Sequence, residues 1–244
     1  MAARPGVVVT AAQVPASHAG QGASIRFLVD TGAGVPGLTR RLASLAPGGR
    51  IEGRSADEMW FVLGGSGHLQ TAGQPPVPLH QDRAVLLPAG VDYLVSAADG
   101  GLNLDLVALP AAPPHGPAPA GTRPVIRDFA DCPVETTGDR QFRVLFGPGR
   151  GCSVATQFVG EIPPGRAPEH SHPYDEVVLI LHGHGVAHIG GREHELAPGT
   201  CAHLPPALPH CLENTGKDTL RVLGVFHPAD SPAAKLAGPG QAAG

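Results

Sequence analysis

An internal repeat constrains this chain more than any other feature of its sequence. The segment DEMWFVLGGSG at 57–67 resembles DEVVLILHGHG at 175–185, and AVLLPAGVDY at 84–93 resembles CAHLPPALPH at 201–210. Both matches fall at an offset of 117–118 residues. Self-similarity of this kind indicates one structural unit that is used twice.

Each repeat has the pattern of short β-strands. Apolar or alternating runs such as EMWFVLG and EVVLILHG are bounded by Gly or Pro, and no stretch with helical periodicity is long enough for a substantial helix. Gly and Pro contribute 34 and 27 of the 244 residues, and they separate apolar runs instead of forming one tract. The pattern predicts an all-β fold of the sandwich or barrel type.

Proline divides the chain into two domains. Residues 110–124 contain six prolines, which exclude a helix or a central strand and predict an extended linker. The first domain is therefore predicted over 1–109 and the second over 125–228. Residues 229–244 are small and turn-forming, and we expect a flexible tail there.

Composition argues against several classes of protein. The net charge of −4, without a block of like charges, disfavours nucleic acid or an anionic membrane as partner. No apolar run approaches the roughly 18 residues of a membrane span, and the start is a poor signal peptide. The four cysteines show no CxxC spacing, so we expect reduced, buried cysteines in a cytoplasmic protein.

The second repeat contains residues with the spacing of a metal site. His170, His172 and Glu176 share parity, so an extended chain can direct all three side chains to one face. His210 follows Glu176 by 34 residues, after a turn-rich PPALP segment, and could supply a fourth ligand. Imidazoles with a carboxylate suit a first-row transition metal, so we predict one divalent Fe, Mn, Ni, Cu or Zn ion.

The second repeat resembles a cupin domain. The two motifs of that family are carried here by Gly165, His170, His172, Glu176 and Gly183, and then by Gly199, Pro205, His210 and Asn214, with Ala207 in place of a turn glycine. The resemblance covers most of 125–228, and a degenerate copy covers about 35–109. It implies two double-stranded β-helix (jelly-roll) barrels in tandem, with metal ligands at His170, His172, Glu176 and His210.

The first repeat keeps only one of the four ligand types. The corresponding positions hold Glu52, Arg54, Glu58 and Tyr93, and a permanently cationic Arg would repel a metal ion. We therefore predict that Arg54 pairs with Glu58 in place of the metal and that Trp60 fills the pocket. This degenerate pocket is either purely structural or a metal-free binding site for an acidic ligand.

Two further residues of the second repeat are candidates for contact with substrate. Tyr174 lies between the predicted ligands, and His182 shares parity with Glu176 and is expected to face the barrel interior. The catalytic residues themselves cannot be assigned from the sequence, and no nucleotide-binding motif indicates an organic cofactor.

The resemblance to cupins implies three alternative functions. The first is a metal-dependent dioxygenase that acts on a small organic acid or on an enolic or phenolic metabolite. The second is a redox-neutral metal enzyme: an isomerase, cyclase, decarboxylase or hydrolase. The third is a non-enzymatic cupin that binds a small molecule.

The N-terminal segment has no place within its own repeat. Val7, Val8 and Val9 form an apolar, β-branched run, and we expect them to add an edge strand to the second barrel or to a partner subunit. The protein is accordingly predicted to be a monomer or a homodimer.

Overall fold

Twenty strands and two single-turn 3-10 helices (Ala11–Gln13 and Phe129–Asp131) form the described part of the chain, residues 6–30, 37–110 and 121–233 of the computed structural model. The prediction of an all-β fold is confirmed. Most of the predicted linker and the end of the predicted tail, 111–120 and 234–244, lie outside the described residues. The described residues contain no helix long and apolar enough to span a bilayer.

The chain divides into two compact units. The first barrel comprises Ala11–Cys132, and the second barrel comprises Met1–Thr10 together with Pro133–Gly244. Strand β1 (Val7–Thr10) therefore belongs to the second barrel although it opens the chain. It pairs antiparallel with the segment around Cys201, with Val9 opposite Cys201, so the N-terminal valines do form an edge strand within this chain. The oligomeric state stays a prediction.

The first barrel is built from antiparallel strands. They are β2 (Ser17–Gly20), β3 (Ala23–Val29), β4 (Thr39–Leu45), β5 (Arg50–Arg54), β6 (Glu58–Thr71), β7 (Val77–His80), β8 (Arg83–Leu87), β9 (Asp92–Ala108) and β10 (Val125–Asp128). Seven of them pair in the order β10-β8-β6-β9-β4-β3-β2, while β5 pairs with β9 and β7 pairs with β6. The long strands β6 and β9 thus connect the layers of this barrel.

The second barrel uses two separate sheets. Its remaining strands are β11 (Glu135–Thr137), β12 (Arg140–Phe146), β13 (Thr156–Ile162), β14 (Gly165–Arg166), β15 (Asp175–His182), β16 (Gly185–Ile189), β17 (Arg192–Leu196), β18 (Thr200–Leu204), β19 (His210–Asn214) and β20 (Leu220–His227). The sheet orders are β1-β18-β15-β20-β13-β12-β11 and β14-β19-β16-β17. In the first barrel the corresponding strand, β6, continues without interruption to Thr71. In the second barrel the strand is interrupted after β15, and the following strand β16 belongs to the second sheet.

Repeated glycines have the same physical role in both barrels. Gly65 and Gly183 adopt φ values of 77° and 85°, a left-handed conformation that strains any residue with a Cβ. Two residues further on, a Cβ on Gly67 would lie 2.2 Å from the Ser96 carbonyl oxygen. A Cβ on Gly185 would meet the Glu213 carbonyl oxygen in the same way, which explains why these positions match between the repeats.

Candidate metal centre

Three polar side chains converge inside the second barrel. One nitrogen each of His172 and His210 and one carboxylate oxygen of Glu176 lie within 4.8 Å of one another, and all three residues are buried. Glu176 lies near the start of β15, opposite Leu204 of β18. Because side chains alternate along a strand, Glu176 shares the inward face with Val178, which packs in the core of this barrel.

His170, the fourth predicted ligand, lies beside this cluster. Its backbone forms an antiparallel bridge with His210, in which His170 N–H donates to the His210 carbonyl at 3.0 Å and the reverse bond measures 2.8 Å. The two imidazole ring centroids are 4.6 Å apart. His170 is half-buried, so it lies at the more accessible side of the cluster.

The three histidines share one hydrogen-bonding pattern. Each Nδ1 faces a main-chain carbonyl: His172 that of Tyr174 at 2.8 Å, His210 that of Leu208 at 2.8 Å, and His170 that of Pro168 at 3.2 Å. A carbonyl only accepts, so Nδ1 carries the proton in the neutral ring. Nε2 of each ring is then left with its lone pair, which is the form that binds a metal.

The electrostatics of the cluster favour a neutral His210 imidazole and an ionised Glu176 carboxylate. Burial lowers the pKa of His210 to about 4, despite the opposing effect of the Glu176 charge. Burial alone would raise the pKa of Glu176, but the adjacent imidazoles, His172 above all, outweigh burial and lower it. Both groups are therefore in the protonation state of a metal ligand at neutral pH.

A tight turn holds His210 in place. The Ala207 N–H donates to the His172 carbonyl at 2.9 Å, and this bond ties the turn before β19 to the segment that carries the other ligands. Ala207 has φ of 62°, which is the conformation that the glycine of the family motif would adopt without strain. Ala207 therefore adopts the left-handed backbone that favours glycine.

A cavity of about 100 Å³ lies beside the cluster and is walled mainly by apolar and aromatic side chains. Tyr174 is one of them, and its ring stacks between His172 and Phe226 with centroid distances of 4.1 and 4.2 Å. Burial first, and the charge of Glu176 second, raise the pKa of the Tyr174 phenol, so the phenol is neutral. The structure thus brings Tyr174 to the cavity.

His182 does not line this cavity. The pairing of β15 with β20 shifts register between Ile180 and His182, and the His182 side chain is exposed. Simple parity fails there because the irregularity changes the direction of the side chain.

Sequence reasoning missed the opposite wall of the cavity. Arg140 and Phe142 of β12, Phe158 of β13 and Phe226 of β20 line it. The signal was the alternation in RQFRVLF, which places Arg140 and Phe142 on one face. A Cβ on Gly224 would lie 2.2 Å from the Phe158 ring, so this glycine makes room for the aromatic wall.

The first barrel arranges its residues differently from the prediction. Arg54 does not pair with Glu58; it is exposed and binds Asp92 across β5 and β9, at 2.7 and 2.9 Å. Glu58 instead accepts a 2.9 Å bond from Arg41 of β4 and a 2.6 Å bond from Trp60 Nε1. The cation comes from β4, which is separated from β6 by β9, and the alignment of ligand positions could not indicate this.

The other predicted residues of the first barrel are separated. Trp60 is buried and packs edge-on against Tyr93, at 5.0 Å between ring centroids and 83° between planes. Burial raises the pKa of Tyr93 to about 12. Glu52 is exposed. Trp60 and Tyr93 therefore fill the interior beside Glu58, while Glu52 and Arg54 face outward.

The donors of the second barrel fit a first-row transition metal. In the described part of the chain, His172 Nε2 is buried and lacks a hydrogen-bond partner, although it lies 3.0 Å from a carboxylate oxygen of Glu176. A buried nitrogen lone pair facing a carboxylate costs free energy unless a cation lies between them. Imidazole nitrogen and carboxylate oxygen are donors for Fe, Mn, Ni, Cu and Zn.

Comparison with known proteins agrees with this fold. The family model of the cupin domain matches residues 158–226, which include Glu176 and His210. Together with the repeat and the two barrels, this match identifies the chain as a two-barrel protein of the cupin superfamily. The chain is also 30% identical over 95 residues to the HTH-type transcriptional activator RhaS of Escherichia fergusonii, across 39% of this chain and about a third (33%) of that protein's length.

Solved structures resemble the whole chain at low sequence identity. The Ylba protein of E. coli has a TM-score of 0.76 at 12% identity, over 91% of this chain and 90% of its own. A putative glyoxylate-induced protein of Pseudomonas aeruginosa has a TM-score of 0.76 at 15% identity, with 92% and 90% covered. A point mutant of Bacillus subtilis oxalate decarboxylase has 0.77 at 12%, with 97% and 80% covered.

Proposed function

We propose that the second barrel is the active site of a metal-dependent enzyme that acts on a small organic metabolite. The observation that carries this proposal is the convergence of His172, Glu176 and His210, with each imidazole Nδ1 held by a carbonyl, beside a small cavity. His170 is the proposed fourth ligand. Among the structural neighbours, Bacillus subtilis oxalate decarboxylase has Mn(II) centres, which supports a metal here.

Different residues of the second barrel would have different roles in such a site. His170, His172, Glu176 and His210 would hold the ion, and a bound divalent transition metal would supply Lewis acidity with open positions for substrate oxygens. The aromatic walls exclude water and orient the substrate. Tyr174, neutral and stacked on His172, keeps that imidazole in a fixed plane.

The size of the cavity limits the substrate. A volume of about 100 Å³ is well below the roughly 300–1,000 Å³ of sites for drug-sized ligands. The substrate is therefore a molecule of a few heavy atoms. A small substrate of this kind is compatible with dioxygenation and with a redox-neutral reaction such as decarboxylation. The oxalate decarboxylase among the structural neighbours supports keeping the redox-neutral reaction as an alternative.

The experiment is a reconstitution series with one metal at a time. Metal-free protein is loaded with Fe, Mn, Ni, Cu or Zn, and consumption of small organic acids is followed with and without O₂, with His172→Ala as the negative control. We expect turnover with at least one metal and none in the variant. Oxygen uptake in step with turnover identifies a dioxygenase, and turnover that is indifferent to O₂ identifies a redox-neutral enzyme.

A non-enzymatic binding module is the second candidate. The partial match to a protein named as a transcriptional activator supports it. This function predicts that a ligand binds without being consumed under any metal or gas condition. Such a result, with ligand affinity unaffected by a chelator, would contradict the proposed enzyme.

A further inference from the structure

Among the described residues, Arg140 is the one arginine or lysine that lines the cavity of the second barrel. Arg140 is the first residue of β12 and shares its inward face with Phe142 and Val144. Its side chain is only 16% exposed. Thr137, which pairs with Arg140 across the β11–β12 hairpin, lines the same cavity.

The charge of Arg140 is poorly matched within the protein. Among the described residues, its acidic neighbour is Asp139, at 4.0 Å from Nε and 78% exposed. An ion pair of this kind is worth little in water. The cavity's own carboxylate, Glu176, is already surrounded by imidazoles. Burial lowers the pKa of Arg140, yet a guanidinium stays cationic at neutral pH.

A buried cation that lacks a strong partner costs free energy, and an anionic ligand can offset that cost. A guanidinium presents parallel N–H donors that match the two oxygens of a carboxylate. The chemistry of the cavity therefore favours a carboxylate.

We propose that Arg140 selects substrates with a carboxylate, which it binds while a second oxygen function of the same molecule faces His172, Glu176 and His210. This inference rests on the proposed function and narrows its substrate class to small organic acids. Arg140 is a specificity residue in this account, since it holds the end of the substrate that lies away from the metal ligands.

The test compares a dicarboxylate with a small anion that has no carboxylate. Malonate carries two carboxylates and is expected to engage Arg140 and the metal end together, whereas azide is expected to bind only at the metal. Affinities for both are measured by isothermal titration calorimetry on metal-loaded wild-type protein, Arg140→Gln, Arg140→Lys and the control Arg192→Gln. Arg192 is exposed on β17, so its variant removes the same charge outside the cavity.

Arg140→Gln is expected to weaken malonate binding about tenfold or more, as the loss of a charged hydrogen bond predicts, and to leave azide within about twofold. Arg140→Lys should fall between, because it keeps the charge and loses the paired donors. Arg192→Gln should behave as wild type. Unchanged malonate affinity in Arg140→Gln, or equal losses for malonate and azide, would overturn the proposal.

Failure of the metal site is separable from failure of this inference. Metal content is measured on the same samples, and the malonate titration is repeated on metal-free protein. A wild-type protein that takes up no metal would contradict the proposed function. In that protein, malonate binding that is lost in Arg140→Gln would still support the role of Arg140, and binding that is unaffected would refute it.

Discussion

The two barrels place a glutamate at the same point of the same strand and surround it in different ways. Glu58 lies opposite Leu87 and Ala108, and Glu176 lies opposite Leu204 and Phe226. In the first barrel, Arg41 and Trp60 bind the carboxylate. In the second barrel, imidazoles face it. A buried carboxylate needs a positive or hydrogen-bonding environment, and the two barrels supply it from different strands.

Strand register shows which side chains of the first barrel lie at the positions that line the cavity in the second barrel. There, Arg41 lies across from Leu106, which in turn lies opposite Trp60. The matching row of the second barrel is Phe158, Gly224 and Val178. Arg41 and Trp60 thus occupy the positions of a wall aromatic and a valine, and Leu106 lies where Gly224 gives room to the Phe158 ring. The first barrel has an internal cation and large side chains where the second has donors and a cavity.

The other face of the same strands also differs. Arg40 and Asp105 form a fully buried, bidentate ion pair in the first barrel, at 2.7 and 2.9 Å. The corresponding positions of the second barrel hold Gln157 and Leu223, both fully buried. The first barrel therefore depends on paired charges at positions where the second barrel has none.

The largest expected effect is on metal binding, which we expect in the second barrel only. Metal binding by both barrels would contradict the difference between them. We expect about one metal ion per chain. His172→Ala or His210→Ala should abolish activity and weaken metal binding by more than roughly 10–100-fold, the loss that is typical when a residue hydrogen-bonded to a ligand is removed. The folded state should persist because hydrophobic burial holds the barrel. Elemental analysis of untagged protein and near-ultraviolet circular dichroism measure the two effects.

Glu58→Ala is the matched control for this metal measurement. Its metal content should equal that of the wild type, since Glu58 is occupied by Arg41 and Trp60. Two equivalents of metal in the wild type, with one lost in Glu58→Ala, would show that the first barrel also binds a metal. Unfolding of His172→Ala would make the metal structural.

The buried ion pair gives the next largest effect. Asp105→Asn removes the negative charge of the carboxylate that pairs with the buried Arg40 guanidinium, and breaking a buried ion pair typically costs about 3–5 kcal/mol. Chemical denaturation should show this loss. Gln157→Leu, at the position corresponding to Arg40, should be neutral or stabilising, since no hydrogen-bond partner of the Gln157 amide is found within the described residues. Equal effects of the two variants would remove this distinction between the barrels.

Glu58→Gln tests the internal cation of the first barrel. Arg41 and Trp60 donate to different oxygens of Glu58, and an amide has a single acceptor oxygen, so the variant loses the charge and one of the two hydrogen bonds. We expect a loss of about 1–3 kcal/mol. Trp60 is the single tryptophan of the chain, and its fluorescence therefore follows the unfolding of the first barrel. Metal content should not change. If Glu176→Gln keeps its metal as Glu58→Gln does, the contrast between the two glutamates is wrong.

The smallest effect concerns the turn before His210. Ala207→Gly removes the strain of a left-handed alanine, worth about 1–2 kcal/mol, and adds freedom to the unfolded chain, so we expect a net gain of about 0.5–1 kcal/mol. A rise in melting temperature without a change in metal affinity is the expected result. Ala89→Gly, at the corresponding turn of the first barrel, should not stabilise, because Ala89 has no positive φ.

The sequence by itself determined the repeat, the all-β class, the family and a local set of candidate ligands. These follow from short-range spacing: four positions separate His172 from Glu176, and the repeat aligns Glu58 with Glu176. Only the tertiary structure decided which cation binds Glu58, because Arg41 of β4 donates a hydrogen bond to Glu58 whereas Arg54 binds Asp92. Contacts between strands depend on pairing and register, which a single sequence does not specify.

The same reason separates the ligands of the cavity from its walls. His172, Tyr174 and Glu176 lie in one segment, so their spacing could be read directly. Arg140 comes from a distant strand, and only the pairing of β12 with β13, and of β13 with β20, brings it to the cavity. His182 shows the opposite case, since a register shift after Ile180 overrides the parity that local sequence suggests.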